Sequence, residues 1–86
     1  MTAKLDEMWA AFEAHEPDAS YAEAWQRMLM ERTEDAAWAA YHAAPEGLAA
    51  KAAAVAAARA NAAWAKAARV ERYAQDAINA IKEVKP

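Results

Sequence analysis

The sequence predicts an all-helical protein: a three-helix or four-helix antiparallel bundle, or a helical hairpin with a long alanine-rich C-terminal helix. The chain has 86 residues, the size of a single domain spanning residues 1–86. Thirty residues are alanine, the strongest helix former. Val, Ile and Thr together number only seven, and there is one Gly. Because so few residues favour strands, a sandwich, a barrel or a doubly wound α/β fold is excluded.

The first predicted helix spans residues 3–14. Its large apolar side chains recur at helical spacing and form one stripe, which consists of Leu5, Met8, Trp9 and Phe12. Thr2 is placed to cap the first turn through its hydroxyl group. Pro17 ends the element, because the residue before a proline avoids the helical region.

The second predicted helix spans residues 21–44, a length of about 36 Å. Ser20 and Glu23 have the spacing of a capping box at its start. The apolar stripe changes face near Arg32: Tyr21, Trp25, Met28 and Leu29 precede the change, and Met30, Ala37, Trp38 and Tyr41 follow it. Either one long helix packs on two sides, or the helix breaks near Thr33, where Thr33 or Asp35 would cap a new helix.

The third predicted helix spans residues 46–84, with Pro45 at its first position and Gly47 as an early weak point. A continuous helix of this length reaches about 58 Å. A domain of this size has a radius of gyration of about 12 Å. The helix is therefore expected to be kinked, to protrude, or to be covered by another chain.

The apolar face of this third helix changes side along its length. One side carries Leu48, Val55, Val70, Tyr73, Ala77, Ile81 and Val84. Trp64 lies on the opposite side, surrounded by Ala53, Ala57, Ala60 and Ala67. One straight contact does not explain this pattern, so two contacts are expected. Since alanine buries little surface, a second copy of the chain is a natural source of one contact, and we expect a homodimer.

The charges are divided between the two halves of the chain. Residues 1–47 hold three basic and ten acidic residues, whereas residues 48–86 hold seven basic and three acidic ones. The halves can pack against each other, or the basic half can meet an anionic partner. The chain has no cysteine, no apolar leader and no run of about 20 apolar residues. We therefore expect a cytoplasmic protein without a membrane segment.

No motif for catalysis, cofactor binding or metal binding is recognised. His15 and His42 are the two histidines, and neither has a second histidine at metal-binding spacing. Glu34 and Asp35 are adjacent, so on a helix they point in different directions and do not form a carboxylate pair. One glycine cannot make a phosphate-binding loop. The sequence thus predicts a protein that is not an enzyme and that needs no cofactor.

Protein binding is the favoured function, because Trp and Tyr dominate interaction hot spots. Trp9 and Trp25 lie in the main stripes and are assigned to the core. The residues assigned to protein binding are Trp38, Tyr41, His42, Trp64, Glu34 and Asp35.

Nucleic-acid binding is a less favoured alternative. It rests on four basic residues that share one flank of the third helix, namely Lys51, Arg59, Lys66 and Arg69. Such a stripe could follow phosphates. A further alternative is self-assembly, in which the long helix packs side by side with copies of itself.

Two alanine- and tryptophan-rich segments, DAAWAAYHAAP at 35–45 and AAVAAARANAAWAKAAR at 53–69, resemble the short helical proteins of GC-rich bacteriophages and prophages. The resemblance is one of composition and carries no diagnostic motif. It implies an accessory protein that binds and disables a host or defence protein, as anti-CRISPR proteins do, or a minor particle component. The host cytoplasm would then be its location.

Overall fold

Five α-helices account for all the regular secondary structure in residues 3–82, which are the residues that the computed structural model describes. The helices are α1 (Ala3–Ala14), α2 (Ala22–Glu31), α3 (Glu34–Ala43), α4 (Ala49–Ala62) and α5 (Ala67–Lys82). The all-helical class and the bundle arrangement are confirmed. The number of helices is larger than predicted, because both long helices are divided.

The first helix matches its prediction. All four members of its apolar stripe are buried. The Trp25 indole N–H donates to the Phe12 carbonyl oxygen at 3.3 Å, and the two rings stack with centroids 5.0 Å apart. This contact joins α1 to α2 in the core, where Trp9 and Trp25 lie as expected. The predicted Thr2 cap lies outside the described residues.

The second predicted helix breaks at Arg32 and Thr33, so the alternative with a break is the correct one. Arg32 adopts left-handed backbone angles, with φ 52° and ψ 47°, and its N–H donates to the Met28 carbonyl oxygen. Thr33 then caps α3, since its hydroxyl oxygen accepts the Ala36 N–H at 3.2 Å.

The predicted capping box at Ser20 is wrong. Tyr21 occupies the N-cap position of α2, and no side chain caps that end. The Ser20 hydroxyl instead donates to Asp18 Oδ2 at 2.8 Å, and the Ser20 N–H also donates to it at 3.2 Å. The Asp18 carboxylate thus accepts from both the N–H and the hydroxyl of Ser20, which holds the serine in a local turn before the helix.

The third predicted helix is also two helices, and it begins later than expected. Pro45 lies in a turn that includes Gly47 at φ 83°, so α4 starts at Ala49 and not at Glu46. The Lys66 N–H donates to the Ala63 carbonyl oxygen at 2.8 Å, which forms a second turn across residues 63–66. A continuous helix from 46 to 84 is therefore excluded, and Val84 lies outside the described residues.

The break lets the chain fold back on itself. Helix α4 packs against both α3 and α5, α1 packs against α5, and α2 packs against α3. The described residues extend over only 33 × 24 × 19 Å. Helix α4 therefore has two packing partners within one chain, although Trp64, which was expected to centre one of the two contacts, is 81% exposed. The buried residues of α4 are all alanines: Ala50, Ala53, Ala54, Ala56, Ala57, Ala58 and Ala60.

Candidate functional site

Four of the predicted protein-binding residues come together on α3. The Trp38 and Tyr41 rings meet edge to face at 5.5 Å, and His42 contacts both, at 6.3 Å and 5.2 Å respectively. The Trp38 indole N–H donates to Glu34 Oε2 at 3.2 Å. Asp35 is exposed in the first turn of α3, where a negative charge favours the helix N-terminus. Helical spacing alone places these groups together.

This aromatic row is largely part of the fold. Trp38 and Tyr41 are half-buried and pack against the core, and of the three residues only His42 is exposed. The row therefore offers a partner much less apolar area than the number of its aromatic residues suggested.

Lys51 does not belong to a free basic flank, which corrects its sequence-based assignment. Its ammonium group donates to the carbonyl oxygens of Tyr41 and Ala44 at 2.8 and 3.2 Å and lies 4.2 Å from the Tyr41 ring centroid. Glu46 lies 3.6 Å away, and the lysine side chain is only 14% exposed. A lysine at this place neutralises the negative end of α3.

The three remaining basic residues lie around the turn between α4 and α5. We define the Trp64 corner as Arg59, Trp64, Lys66 and Arg69. All four residues are exposed, and Trp64 is 81% exposed. Because the helix breaks at this point, the basic residues follow a bend and not the straight flank that the sequence predicted.

A groove with a volume of about 250 Å³ lies within this corner. Arg59 and Arg69 line it together with Tyr73, Ala62 and Ala63. Arg59 comes from α4, whereas Arg69 and Tyr73 are one helical turn apart on α5. The two arginines are ten residues apart in sequence, so only the fold-back brings them to one groove. Sequence analysis missed Tyr73 as a site residue, because its spacing placed it on the core stripe.

Within residues 3–82, the corner cations have no carboxylate partner. Among residues 3–82, ion pairs within 4 Å join Lys4 to Glu7, Arg27 to Glu31, Arg32 to Glu13 and Lys51 to Glu46. None of them involves Arg59, Lys66 or Arg69. The sequence explains this, since it contains no acidic residue between Glu46 and Glu71. The corner is therefore a locally positive surface on an acidic protein.

A second groove, of about 470 Å³, lies where α3 meets α4 and is lined by residues that include Tyr41, Glu46, Leu48 and Lys51. Leu48, which was expected in the core, is 40% exposed here. The charged groups of this groove already pair with each other, so it offers no free charge to a ligand. The Trp64 corner is the better candidate site.

Altered pKa values occur elsewhere, in the segment between α1 and α2. Burial lowers the pKa of His15, whose Nε2 lies 2.8 Å from the Tyr21 hydroxyl oxygen. Burial likewise raises the pKa of Tyr21. Hydrogen bonds from Ser20 lower the pKa of Asp18. These groups belong to a local hydrogen-bonded structure and form no cleft with the Trp64 corner.

The described part of the chain contains no cluster of three or more His, Cys, Asp or Glu residues that could hold a metal ion. Between residues 3 and 82, no helix has both the length and the apolar character needed to cross a membrane. No family model, no curated protein and no solved structure matches the chain.

Proposed function

We propose that this protein is a non-enzymatic helical binding module that occupies the surface of another protein, with Trp64 as its anchor. The observation that carries this proposal is the 81% exposure of a tryptophan in a protein that buries Trp9 and Trp25 almost completely. Burying a tryptophan completely removes about 150–250 Å² from water, worth about 4–6 kcal/mol before the costs of association. Most of that gain is still available at Trp64.

The setting of Trp64 supports the same function. It lies in a turn held by backbone hydrogen bonds between two packed helices, so the ring is presented by a defined backbone. A preorganised anchor loses little conformational entropy on binding. In the phage-type setting that the composition resembles, the partner would be a host or defence protein in the cytoplasm, and the module would act as an inhibitor.

Self-association, as a homodimer or as a larger assembly, is the alternative function. The reason for expecting a homodimer was the uncovered second face of a continuous third helix. In the structure, α3 and α5 of the same chain cover α4 on both sides. Side-by-side assembly of a long helix loses its basis for the same reason. Light scattering over a tenfold concentration range tests both: a constant monomer mass supports binding to a different protein.

Photo-crosslinking in bacterial host cells tests the proposal directly. A photoreactive benzoylphenylalanine replaces Trp64 in one variant and Met30 in a matched control, since Met30 is equally exposed, at 83%. We expect one discrete crosslinked protein from position 64 and none from position 30. In a separate affinity pull-down without a photoreactive residue, Trp64→Ala should abolish retention of that same protein, whereas Met30→Ala should preserve it. Equal crosslinking from both positions, or none from position 64, would refute the proposal.

A further inference from the structure

The Trp64 corner combines an exposed tryptophan with a groove that two arginines line. Arg59 and Arg69 line the groove from different helices. Elsewhere in the described chain, Arg27 and Arg32 pair with carboxylates at 2.9 and 3.3 Å, whereas the exposed Arg72 of α5 has no ion pair within 4 Å among residues 3–82. The corner arginines have no such partner within residues 3–82, although the protein carries more acidic than basic residues. Two arginines that line one groove without a carboxylate partner in residues 3–82, next to the turn that exposes Trp64, are suited to an anionic ligand.

Resting on the proposed function, we infer that the partner presents an acidic peptide segment to this corner. A carboxylate of the partner enters the groove between Arg59 and Arg69, and an apolar neighbour packs on Trp64. Arginine binds carboxylates through two parallel hydrogen bonds, which fixes their orientation as well as their charge. Ala62 and Ala63 line the groove with small side chains, so the approach to the two guanidinium groups is open.

Tyr73 gives the groove a third recognition element. It is half-buried and packs against the core, so its ring is held in place beside the arginines. Its apolar ring and polar hydroxyl suit the mixed character of a side chain such as glutamate. The groove therefore favours a carboxylate on a short aliphatic stem, next to a larger apolar residue for Trp64.

The distribution of charge favours an acidic peptide over nucleic acid. A nucleic-acid strand extends in both directions beyond the corner, whereas the whole described chain is only 33 Å in its longest dimension. The first 47 residues carry ten acidic side chains against three basic ones. Repulsion acts over a Debye length of about 8–10 Å at physiological salt. A long polyanion would extend beyond the corner over a protein of net charge −3, whereas a short acidic segment would stay at the corner.

Selection from a random 16-residue peptide library displayed on filamentous phage tests the inference. The intact protein is the bait. Before each round, the library is passed over immobilised Trp64→Ala protein, which removes the peptides that bind to other parts of the surface. We expect the selected peptides to be enriched in Asp and Glu beside an apolar residue. Their affinity, measured by fluorescence anisotropy of the synthetic peptides, should fall about tenfold in Arg59→Gln and in Arg69→Gln. The affinity should also weaken as the salt concentration is raised, because salt screens the attraction between the arginines and the carboxylates.

Lys82→Gln is the matched control for Arg69→Gln, since it removes one exposed cation from the opposite end of α5. It should leave the affinity unchanged. Circular dichroism of each variant should show unchanged helicity, because both arginines are exposed and outside the core.

The outcomes separate the two proposals. Peptides that require Trp64 but lack acidic residues, or that tolerate Arg69→Gln, would overturn the acidic-segment inference and leave the binding function standing. Failure to select any Trp64-dependent peptide would overturn both. The single-stranded oligonucleotide dT16 is the competing probe. If it binds more tightly than the selected peptides and with the same dependence on Trp64 and Arg69, the inference is replaced by nucleic-acid recognition.

Discussion

The ammonium group of Lys51 lies 2.8 Å from the carbonyl oxygen of Tyr41 and closes the C-terminal end of α3 from the neighbouring helix. It also donates to the Ala44 carbonyl oxygen and covers the Tyr41 ring. One side chain of α4 therefore satisfies two carbonyl groups that the end of α3 leaves without helical partners. This contact fixes the corner between α3 and α4, and it withdraws Lys51 from any basic binding surface.

Replacing Lys51 should destabilise the fold. Lys51→Met keeps the aliphatic stem but loses both hydrogen bonds, so we expect the free energy of unfolding to fall by about 2 kcal/mol. Urea denaturation followed by circular dichroism measures this loss. Lys82→Met, at an exposed position near the end of α5, is the control and should change stability by less than about 0.5 kcal/mol. Equal effects of the two substitutions would contradict the capping role.

Thr33 should contribute to stability through its cap on α3. Thr33→Ala removes the acceptor for the Ala36 N–H, and we expect a loss of about 1 kcal/mol in the free energy of unfolding. Thr33→Ser retains a hydroxyl oxygen and should preserve most of the stability. A thermal or urea unfolding comparison of the two variants distinguishes the cap from other roles of the side chain. If both variants lose the same amount, the hydroxyl group is not the cause.

Arg32 combines an unfavourable backbone conformation with favourable side-chain contacts. Its guanidinium group contacts Glu13 at 3.3 Å, donates to the Leu29 carbonyl oxygen at 3.1 Å and lies 5.6 Å from the Trp9 ring centroid. Arg32→Ala and Arg32→Gly both lose these contacts, but glycine adopts left-handed angles without strain. The glycine variant should therefore be more stable than the alanine variant by about 1 kcal/mol in urea unfolding. The opposite order would contradict the left-handed cap.

Stability should increase with pH through the range in which His15 loses its proton. Burial lowers the pKa of His15 in the folded protein below its ordinary value of 6.5, so the unfolded chain binds the proton more readily. The contribution of His15 is present above pH 6.5 and is lost as the pH falls through the folded-state pKa. Unfolding free energies measured from pH 5 to 7 should rise with pH in the wild type and rise less steeply in His15→Gln. An unchanged slope would exclude His15 as the cause.

Trp64 should account for most of the tryptophan fluorescence that a quencher in solution can reach. Trp64→Phe should remove the tryptophan emission that acrylamide quenches most readily. The free energy of unfolding should stay within about 0.5 kcal/mol of the wild type, because the exposed ring makes little contact with the core. Trp25→Phe is the contrasting variant. It removes a fully buried indole and its bond to Phe12, so it should lower stability while leaving the quenchable emission in place. A destabilising Trp64→Phe would contradict the exposed placement.

The aromatic row of α3 lies outside the Trp64 corner. Local helical spacing accounts for the contacts among its three rings, Trp38, Tyr41 and His42. It did not predict the groove between Arg59 and Arg69, because those residues meet only when α4 and α5 fold back on each other. Helical spacing also did not show that Lys51 of α4 caps the C-terminal end of α3. The partners of Lys51 are backbone carbonyl groups, and sequence patterns do not reveal contacts with the backbone.

The sequence by itself determined the helical class, the α1 stripe and the two core tryptophans. These depend on intrinsic helix propensity and on the spacing of large apolar residues, which act over a few positions. Only the tertiary structure decided where, within the alanine-rich segment, α4 ends. Alanine favours helix at every position, so local energetics indicate one continuous element through Trp64. Folding back buries the apolar face of α5 (Val70, Ala74, Ala77, Ile78 and Ile81) and leaves Trp64 exposed in the turn.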